Sequence, residues 1–431
     1  VRIVVRAVNP RLAREAQAQL DRVNVHALAL AGAYRPSPDG EDITIIPSGD
    51  PDPCALARAA LDSPAAPLIC LAGHSAVSPP PPSGPASPFA GAIALDAQVH
   101  LLAAQIEAWK RIAVSQDERA RRRSTATATG APMPTPLAKR PLTSLYVGPP
   151  SAAFLALDHV FSAMSGSIAA TFTSFSGFDH LHDQPFDAVI LNAAQDAAKA
   201  LSFCAALRRN SSLYHAPTMV VTSPGDAATA TSALERGACA TTETNALCTK
   251  ALAWLFEAIR RERLRREAEY DMRAYRDLMG DTRTGLWLPG PFNAHLGRLA
   301  SDHHASGRAL ALCAFRVLPA HGARAPSVDA WNRGFNEIAS LAARLMRDAD
   351  SGAVCGADAI AIALPASDLA GAKRTAERIA AVAECTAFAA NEDGAGPLVF
   401  EQSAVELQAG ESGPGLLARA LRALELDAIQ A

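Results

Sequence analysis

The sequence predicts an α/β fold in three parts: two doubly wound domains on parallel sheets, followed by a third, separate α/β domain. Three observations carry this. Short β-branched runs alternate with segments of helical spacing, the alternation stops in a stretch rich in Thr, Ala, Pro and Gly and then restarts, and 431 residues allow about three domains on a prior of roughly 100 to 200 residues each. The hydrophobic fraction of 49% comes mostly from Ala, Leu and Val, with only 5% aromatics, a balance that suits helix-rich packing through small residues.

In the first domain, residues 1–122, Ile3-Val4-Val5 reads as a strand and Arg11 to Leu20 as a helix with Leu12, Ala16 and Leu20 on one face. Apolar stretches at Val25 to Leu30, Ile43 to Ile46, Leu68 to Leu71 and Phe89 to Leu95 supply four more strands, with helices at Cys54 to Leu61 and Ala97 to Ile112. Between the last two strands lies Ser78-Pro79-Pro80-Pro81-Pro82-Ser83-Gly84-Pro85, whose prolines forbid the helix expected there. The basic run Arg119 to Arg123 reads as a solvated helix end, running into a flexible linker over 123–140.

The pattern restarts in the second domain, residues 141–265. Leu145-Tyr146-Val147, Ala188 to Leu191 and Met219 to Val221 read as strands, Ala153 to Met164 and Thr231 to Arg236 as helices, with Gly237 placed for a C-cap. Its last helix is expected from Leu247 to about Met279, so that 266–280 form a connecting helix. Leu252, Leu255, Ile259, Met272, Tyr275 and Met279 recur on it at three- and four-residue spacing, as on the axis of a homodimer.

A net charge of −3 argues against a nucleic-acid partner or a membrane surface, which need clustered positive charge. The eight cysteines are scattered without CxxC pairs, as in reduced core positions, and no run of about 18 apolar residues provides for membrane insertion, so a cytoplasmic protein is expected. Val1 opens the chain, from which we expect that an initiator Met has been removed. His180 with His182, and His303 with His304, are spaced to share a metal, but no Cys or carboxylate cluster closes either set; they read as loop histidines, and no cofactor is expected.

The βα order of the first two domains resembles that of two-component receiver domains. Phosphorylation in that family needs an acidic pair after the first strand, an Asp after the third, a hydroxyl after the fourth and a Lys after the fifth. The first domain has Ala7 and Val8, Pro47 and Ser48, and Ala72 and Gly73 at the first three places, and no Lys after its fifth strand; Asp50 and Asp52 read as turn residues. The second has Gly148 and Pro149, then Asn192, keeps Thr222, and carries Thr241 and Thr242 without a Lys. Lacking carboxylates for Mg²⁺ and a phosphoryl group, both read as degenerate receivers, the second as a packing or dimerisation adaptor.

The third domain, residues 281–431, opens on Asp281-Thr282-Arg283-Thr284-Gly285-Leu286, and Gly356-Ala357-Asp358-Ala359-Ile360 precedes the strand Ala361 to Leu364. These stretches resemble the DxLTGLxNR entry segment and the signature hairpin of GGDEF domains, the nucleotidyl cyclase-like α/β fold that makes cyclic di-GMP from two GTP. Two receivers before a GGDEF domain is the arrangement of PleD-type response regulators, and the resemblance extends over nearly the whole chain. The hairpin departs from the family, with Ala357 for the second Gly, Ala359 for the Glu and Ile360 for the Phe, leaving Asp358 alone. The second metal-binding Asp should end the strand Ala309 to Phe315, yet Arg316 and Val317 follow, and the substrate-binding segment is replaced by Pro319 to Pro326. Two-metal phosphoryl transfer needs both carboxylates, so the resemblance implies a degenerate GGDEF domain with no catalytic residues. The helix Leu416 to Ala431 lacks the Asp and Lys that cyclases carry and reads as structural.

The family's feedback site for cyclic di-GMP is an RxxD motif five residues before the hairpin, and Arg347-Asp348-Ala349-Asp350 stands at that offset from Gly356. The family also uses basic residues on the next helix, where Arg374 and Arg378 share a face at i, i+4. The resemblance therefore implies a ligand site of Arg347, Asp350, Arg374 and Arg378. The chemistry agrees: a guanidinium forks onto the O6/N7 edge of guanine, worth ~1–3 kcal/mol in DNA readout. A carboxylate accepts from the guanine N1 and N2 hydrogens, and further arginines meet phosphates or stack on a purine. The structural alternative is that Arg347 and Asp350 only cap the helix Trp331 to Met346 and that Arg374 and Arg378 are surface charges.

The expected function is a catalytically inactive cyclic di-GMP receptor that acts as an adaptor for protein partners. Within the PleD-type family the chain resembles effectors with a degenerate GGDEF domain. That resemblance implies localisation at a cell pole and, with an accessory adaptor, delivery of the cell-cycle regulator CtrA to the ClpXP protease. The alternatives are a diguanylate cyclase with a divergent site and a ligand-free dimerisation scaffold.

Overall fold

The structure is a computed structural model that describes residues 1–37, 40–63, 66–74, 87–245, 249–322, 324–386, 388 and 397–430, without the side chains of 425–430. The proline run Ser78 to Pro85, Leu247, Cys248 and Ala323 lie outside the described residues. The chain divides into two compact units, one of residues 1–113 and 138–266, the other of residues 114–137 and 267–431. No described helix is long and apolar enough to cross a membrane.

The first unit holds two parallel sheets. The first runs β1 (Ile3–Ala7), α1 (Pro10–Asp21), β2 (Ala27–Ala31), β3 (Ile43–Pro47), α2 (Pro53–Leu61), β4 (Leu68–Gly73) and β5 (Gly91–Ala94), closed by the start of α3 (Val99–Thr129), with strand order β2-β1-β3-β4-β5. The second contains β6 (Thr143–Val147), α4 (Ala152–Ala163), β7 (Ser167–Thr171), α5 (Ser174–Asp183), β8 (Ala188–Asn192), α6 (Ala197–Arg209), β9 (Thr218–Thr222), α7 (Ala227–Glu235) and β10 (Ala240–Glu243), followed by α8 (Thr249–Met279), in the order β10-β9-β8-β6-β7. Both show the 2-1-3-4-5 order of receiver-type doubly wound folds. Their central strands are buried almost throughout because helices cover both faces. Even Arg6 on β1 is buried, and Glu41 receives its Nε and Nη2 at 2.9 and 3.0 Å. The helices start on side-chain caps, among them Asn9, Asp52, Ser151, Asp196 and Asp226.

The second unit is built on one antiparallel sheet. After α9 (Pro289–Ser306) come β11 (Leu310–Pro319), α10 (Val328–Leu345), β12 (Ser351–Val354), β13 (Ala359–Pro365), α11 (Leu369–Glu384) and β14 (Leu398–Glu406), then α12 (Gly413–Gln430). From β11 to β14 this is a βαββαβ unit of ferredoxin-like type, with strand order β12-β13-β11-β14. Alternation on β11 sends Ala311, Cys313, Phe315 and Val317 toward Phe335 and Ile338 of α10 and Ile379 of α11. Leu310, Leu312 and Ala314 face the opposite way, onto Leu296 and Leu299 of α9 and Leu416 of α12.

The basic run Arg119 to Arg123 departs from expectation. It is no solvated end entering a linker, because α3 continues to Thr129 and Glu118, Thr125 and Ala126 are 0% exposed and Arg122 1%. Arg122 donates from Nε to Glu118 Oε1 at 2.8 Å, from Nη1 to the Met272 carbonyl at 2.7 Å and from Nη2 to the Asp350 carbonyl at 2.8 Å. His295 Nε2 meets the same Glu118 oxygen at 2.9 Å, and its Nδ1 lies 3.1 Å from the Thr125 hydroxyl. Burial opposes charge on Glu118, but His295, Arg122 and Arg121 outweigh it and hold the carboxyl far below the ordinary carboxylate range. Residues 118, 122, 125 and 126 share one helix face, which is buried although largely polar because every group on it finds a partner. The paired histidines also lie on helices: His180 and His182 in the last turn of α5, His303 and His304 in that of α9.

Arg122→Ala removes one partner of a buried ion pair and frees two main-chain carbonyls, so we expect a loss of about 3–5 kcal/mol in equilibrium urea unfolding. Arg123→Ala, one position along on the exposed side of the helix, is expected to change stability by no more than about 0.5 kcal/mol.

Candidate functional site

The turn between α10 and β12 carries the RxxD sequence. Helix α10 buries Phe335, Ile338, Ala339 and Ala342 and ends at Leu345, because Met346 turns extended with ψ 153°. The chain then closes on itself. Asp350 N–H donates to the Arg347 carbonyl at 3.0 Å, and Asp350 Oδ2 accepts the Arg347 N–H at 2.8 Å. Side-chain acceptance from the local backbone is the usual way an Asp fixes a turn. The carboxylate is thereby turned inward and Asp350 is only 3% exposed, whereas Arg347 points to solvent. Burial pushes the Asp350 carboxyl up to about 6, against the pull of the Arg347 N–H and of the Arg347 and Arg122 charges. From behind, Arg122 holds the carbonyl of the same residue. Asp348 takes a two-pronged contact from Arg273 Nε and Nη2 at 2.8 and 2.7 Å.

Helix α11 supplies the other two arginines. Its apolar stripe of Ala372, Ala376, Ile379, Ala380 and Ala383 faces the sheet, which leaves Arg374 and Arg378 exposed on the far side. Arg378 Nη2 donates to the Leu345 carbonyl at 2.9 Å, which places its guanidinium at the end of α10, two residues before Arg347. Arg378 is thus anchored beside the segment that leads into Arg347, with Arg374 one helical turn from Arg378. The carboxylate expected to read a guanine instead serves the Arg347 N–H in this arrangement. Arg122 and Arg273 were not foreseen. Their partners lie 228 and 75 residues away, and the only trace of Arg122 in the sequence is its place on a helical face with Glu118 and Thr125.

The hairpin between β12 and β13 closes through Cys355 N–H to the Ala359 carbonyl at 2.8 Å. Gly356 has φ 147°, a conformation side chains disfavour, and Trp331 Nε1 fixes the Ala357 carbonyl at 3.1 Å. In the β11–β13 register Arg316 stands opposite Ala359. Its Nε lies 3.7 Å from Asp358 Oδ2 and its Nη1 3.9 Å from Glu401 Oε2. A guanidinium beside the remaining carboxylate disfavours a second cation there. Among the described residues no group of three or more His, Cys, Asp or Glu is arranged to hold a metal.

The receiver positions are also committed to structure. Asn192 donates from Nδ2 to the Pro149 carbonyl at 3.0 Å and accepts the Ala194 N–H at 3.1 Å. Asp50 accepts the Val8 and Asp52 N–H groups at 2.6 and 3.2 Å, and Asp52 caps α2, which agrees with their reading as turn residues.

Asp350→Asn tests the inward carboxylate. The wild-type group titrates near 6 when folded and near 3.8 when unfolded, so the folded state binds more protons between those values and loses stability as pH rises through them. The amide can still accept the Arg347 N–H and carries no charge. We expect wild type and variant to match near pH 4 and the variant to become more stable by about 1–3 kcal/mol at pH 7, read by urea unfolding at stepped pH.

No family model and no curated protein matches the chain. Among solved structures it is similar to the GGDEF domain of DgcB from Caulobacter crescentus in complex with c-di-GMP, at 18% identity over 35% of this chain and 88% of that one, with a TM-score of 0.31. It is also similar to the FimX GGDEF domain from Pseudomonas aeruginosa, at 14% identity over 36% of this chain and 95% of that one, TM-score 0.31. A putative response regulator from Chloroflexus aurantiacus J-10-fl is similar at 16% identity over 28% of this chain and 98% of that one, TM-score 0.26.

Proposed function

We propose that the chain is a catalytically inactive receptor for cyclic di-GMP that binds the dinucleotide at the turn of Arg347 and Asp350 together with Arg374 and Arg378. The observation that carries this reading is the Arg378 contact with the Leu345 carbonyl, which holds one guanidinium at the end of α10, two residues before Arg347. Arg347 is the fork for a guanine edge and Arg374 and Arg378 meet phosphate or stack on a purine. Asp350 shapes the turn in the unliganded chain, and reaches a guanine only by releasing the Arg347 N–H. Inactivity as a cyclase is supported by Arg316, whose charge stands beside Asp358 where two-metal chemistry needs a second carboxylate.

The finer part of the proposal is an adaptor role of the kind filled by PopA, the PleD paralogue that acts as a cyclic di-GMP effector. In that role the liganded chain, as a homodimer at a cell pole, joins an accessory adaptor and brings CtrA to ClpXP. Large apolar side chains left exposed on the second sheet's helices and edge support a docking use of that domain: Leu155 and Phe172 are each 69% exposed and Phe175 77%.

Calorimetry of the full chain with cyclic di-GMP is expected to show saturable binding, weakened by about 10- to 100-fold in Arg347→Ala and in Arg378→Ala. No heat in the wild type would leave only the scaffold reading. Incubation with GTP and Mg²⁺ is expected to yield no cyclic di-GMP; a product lost in Asp358→Ala would make the chain a divergent cyclase. The adaptor role predicts that cyclic di-GMP increases retention of CtrA by the wild-type chain and not by Arg347→Ala.

A further inference from the structure

A cavity of about 280 Å³ opens within the first unit, between the start of α3 on one side and α6, α8 and the segment before β9 on the other. Four arginines line it: Arg111 from α3, Arg208 from α6, and Arg261 and Arg265 from α8. The acidic groups on its walls are Glu107, Glu235 and Glu262. Glu262 is already held by Arg265 and Arg266 at 2.7 and 2.9 Å, Glu107 pairs with Lys110 at 2.8 Å, and Glu235 is exposed on α7. Arg111 and the half-buried Arg261 have no ion-pair partner among the described residues. Arg208 commits its Nη groups to the carbonyls of Tyr214 and Ala216 and to the Thr218 hydroxyl, while its buried Nε has no hydrogen-bond partner among the described residues.

Guanidiniums converging on a half-enclosed space repel one another unless an anion shares the site. The field is felt at His215, on the cavity wall: burial first, then Arg265, Arg111, Arg208 and Arg266, push its imidazolium down to about 3. The ring is therefore neutral at physiological pH and lies against Tyr214, 3.5 Å between centroids, so that an aromatic pair borders the cationic space. We propose that this cavity is a binding site for a phosphoryl anion, with Arg111 and Arg261 as the clamp. Ligand pockets commonly run ~300–1,000 Å³ and this cavity falls just below that range, which suits a mononucleotide or a smaller phosphorylated metabolite rather than a cyclic dinucleotide. The clamp joins α3 to α8, so the ligand would tie the two parallel sheets of the first unit together.

The proposal does not depend on the turn at Arg347, and its test keeps the two apart. Pyrophosphate and AMP are titrated into the full chain by calorimetry. Saturable binding of at least one is expected, weakened at least tenfold in Arg111→Ala and in Arg261→Ala and unchanged in Arg347→Ala. Arg261→Lys, which keeps the charge and loses the fork, is expected to fall between. Far-UV circular dichroism and melting temperature of each variant check that the fold is kept. The proposal is overturned if neither probe binds at millimolar concentration, if binding survives both alanine substitutions in folded protein, or if it is lost only in Arg347→Ala.

Discussion

The second unit depends on one buried guanidinium. Arg122 satisfies the Glu118 carboxylate four residues before it on α3 and two main-chain carbonyls, those of Met272 on α8 and Asp350 in the turn. A charge at 1% exposure is tolerable only because each face of it is used: Glu118 neutralises it, the carbonyls take its outer hydrogens and the Trp287 ring lies 5.4 Å away. His295 completes the arrangement by meeting Glu118 from α9. Three helices and one turn are thereby fixed to one another by polar contacts, in a unit whose apolar cores lie on the two faces of its sheet.

That anchoring explains how the RxxD turn presents a side chain. Main-chain atoms of Asp350 are held from behind and its carboxylate holds Arg347 N–H from within, so the turn's shape is set without using the Arg347 guanidinium. The inward carboxylate has a cost of its own, visible in its raised titration.

At the hairpin, one arginine decides the electrostatics of the strand end. The turn at Gly356 and the antiparallel pairing of β13 with β11 fix the hairpin's shape, and Arg316 sets the charge at the strand end. Arg316 lies between the Asp358 and Glu401 carboxylates and offsets part of their charge. The receiver-type sheets follow the same logic. Their cores are mainly aliphatic and packed on both faces, and Asn192 and Asp50 at the strand ends are used in structural contacts.

The sequence by itself determined the α/β class, the two doubly wound sheets and a third α/β domain with its hairpin at Gly356. Apolar periodicity and turn residues are local signals, and each element needs only its own residues to announce itself. The edge strand β7 was less legible because it is half exposed and carries Ser and Thr at its ends. Only the tertiary structure decided that the basic run around Arg122 is interior, that the Asp350 carboxylate faces the chain and not the solvent, and that Arg378 reaches the end of α10. Those outcomes rest on partners tens to hundreds of residues apart. A charge looks solvated in sequence until its partner is known, because burial of a polar group is decided by whether its hydrogen bonds can be met.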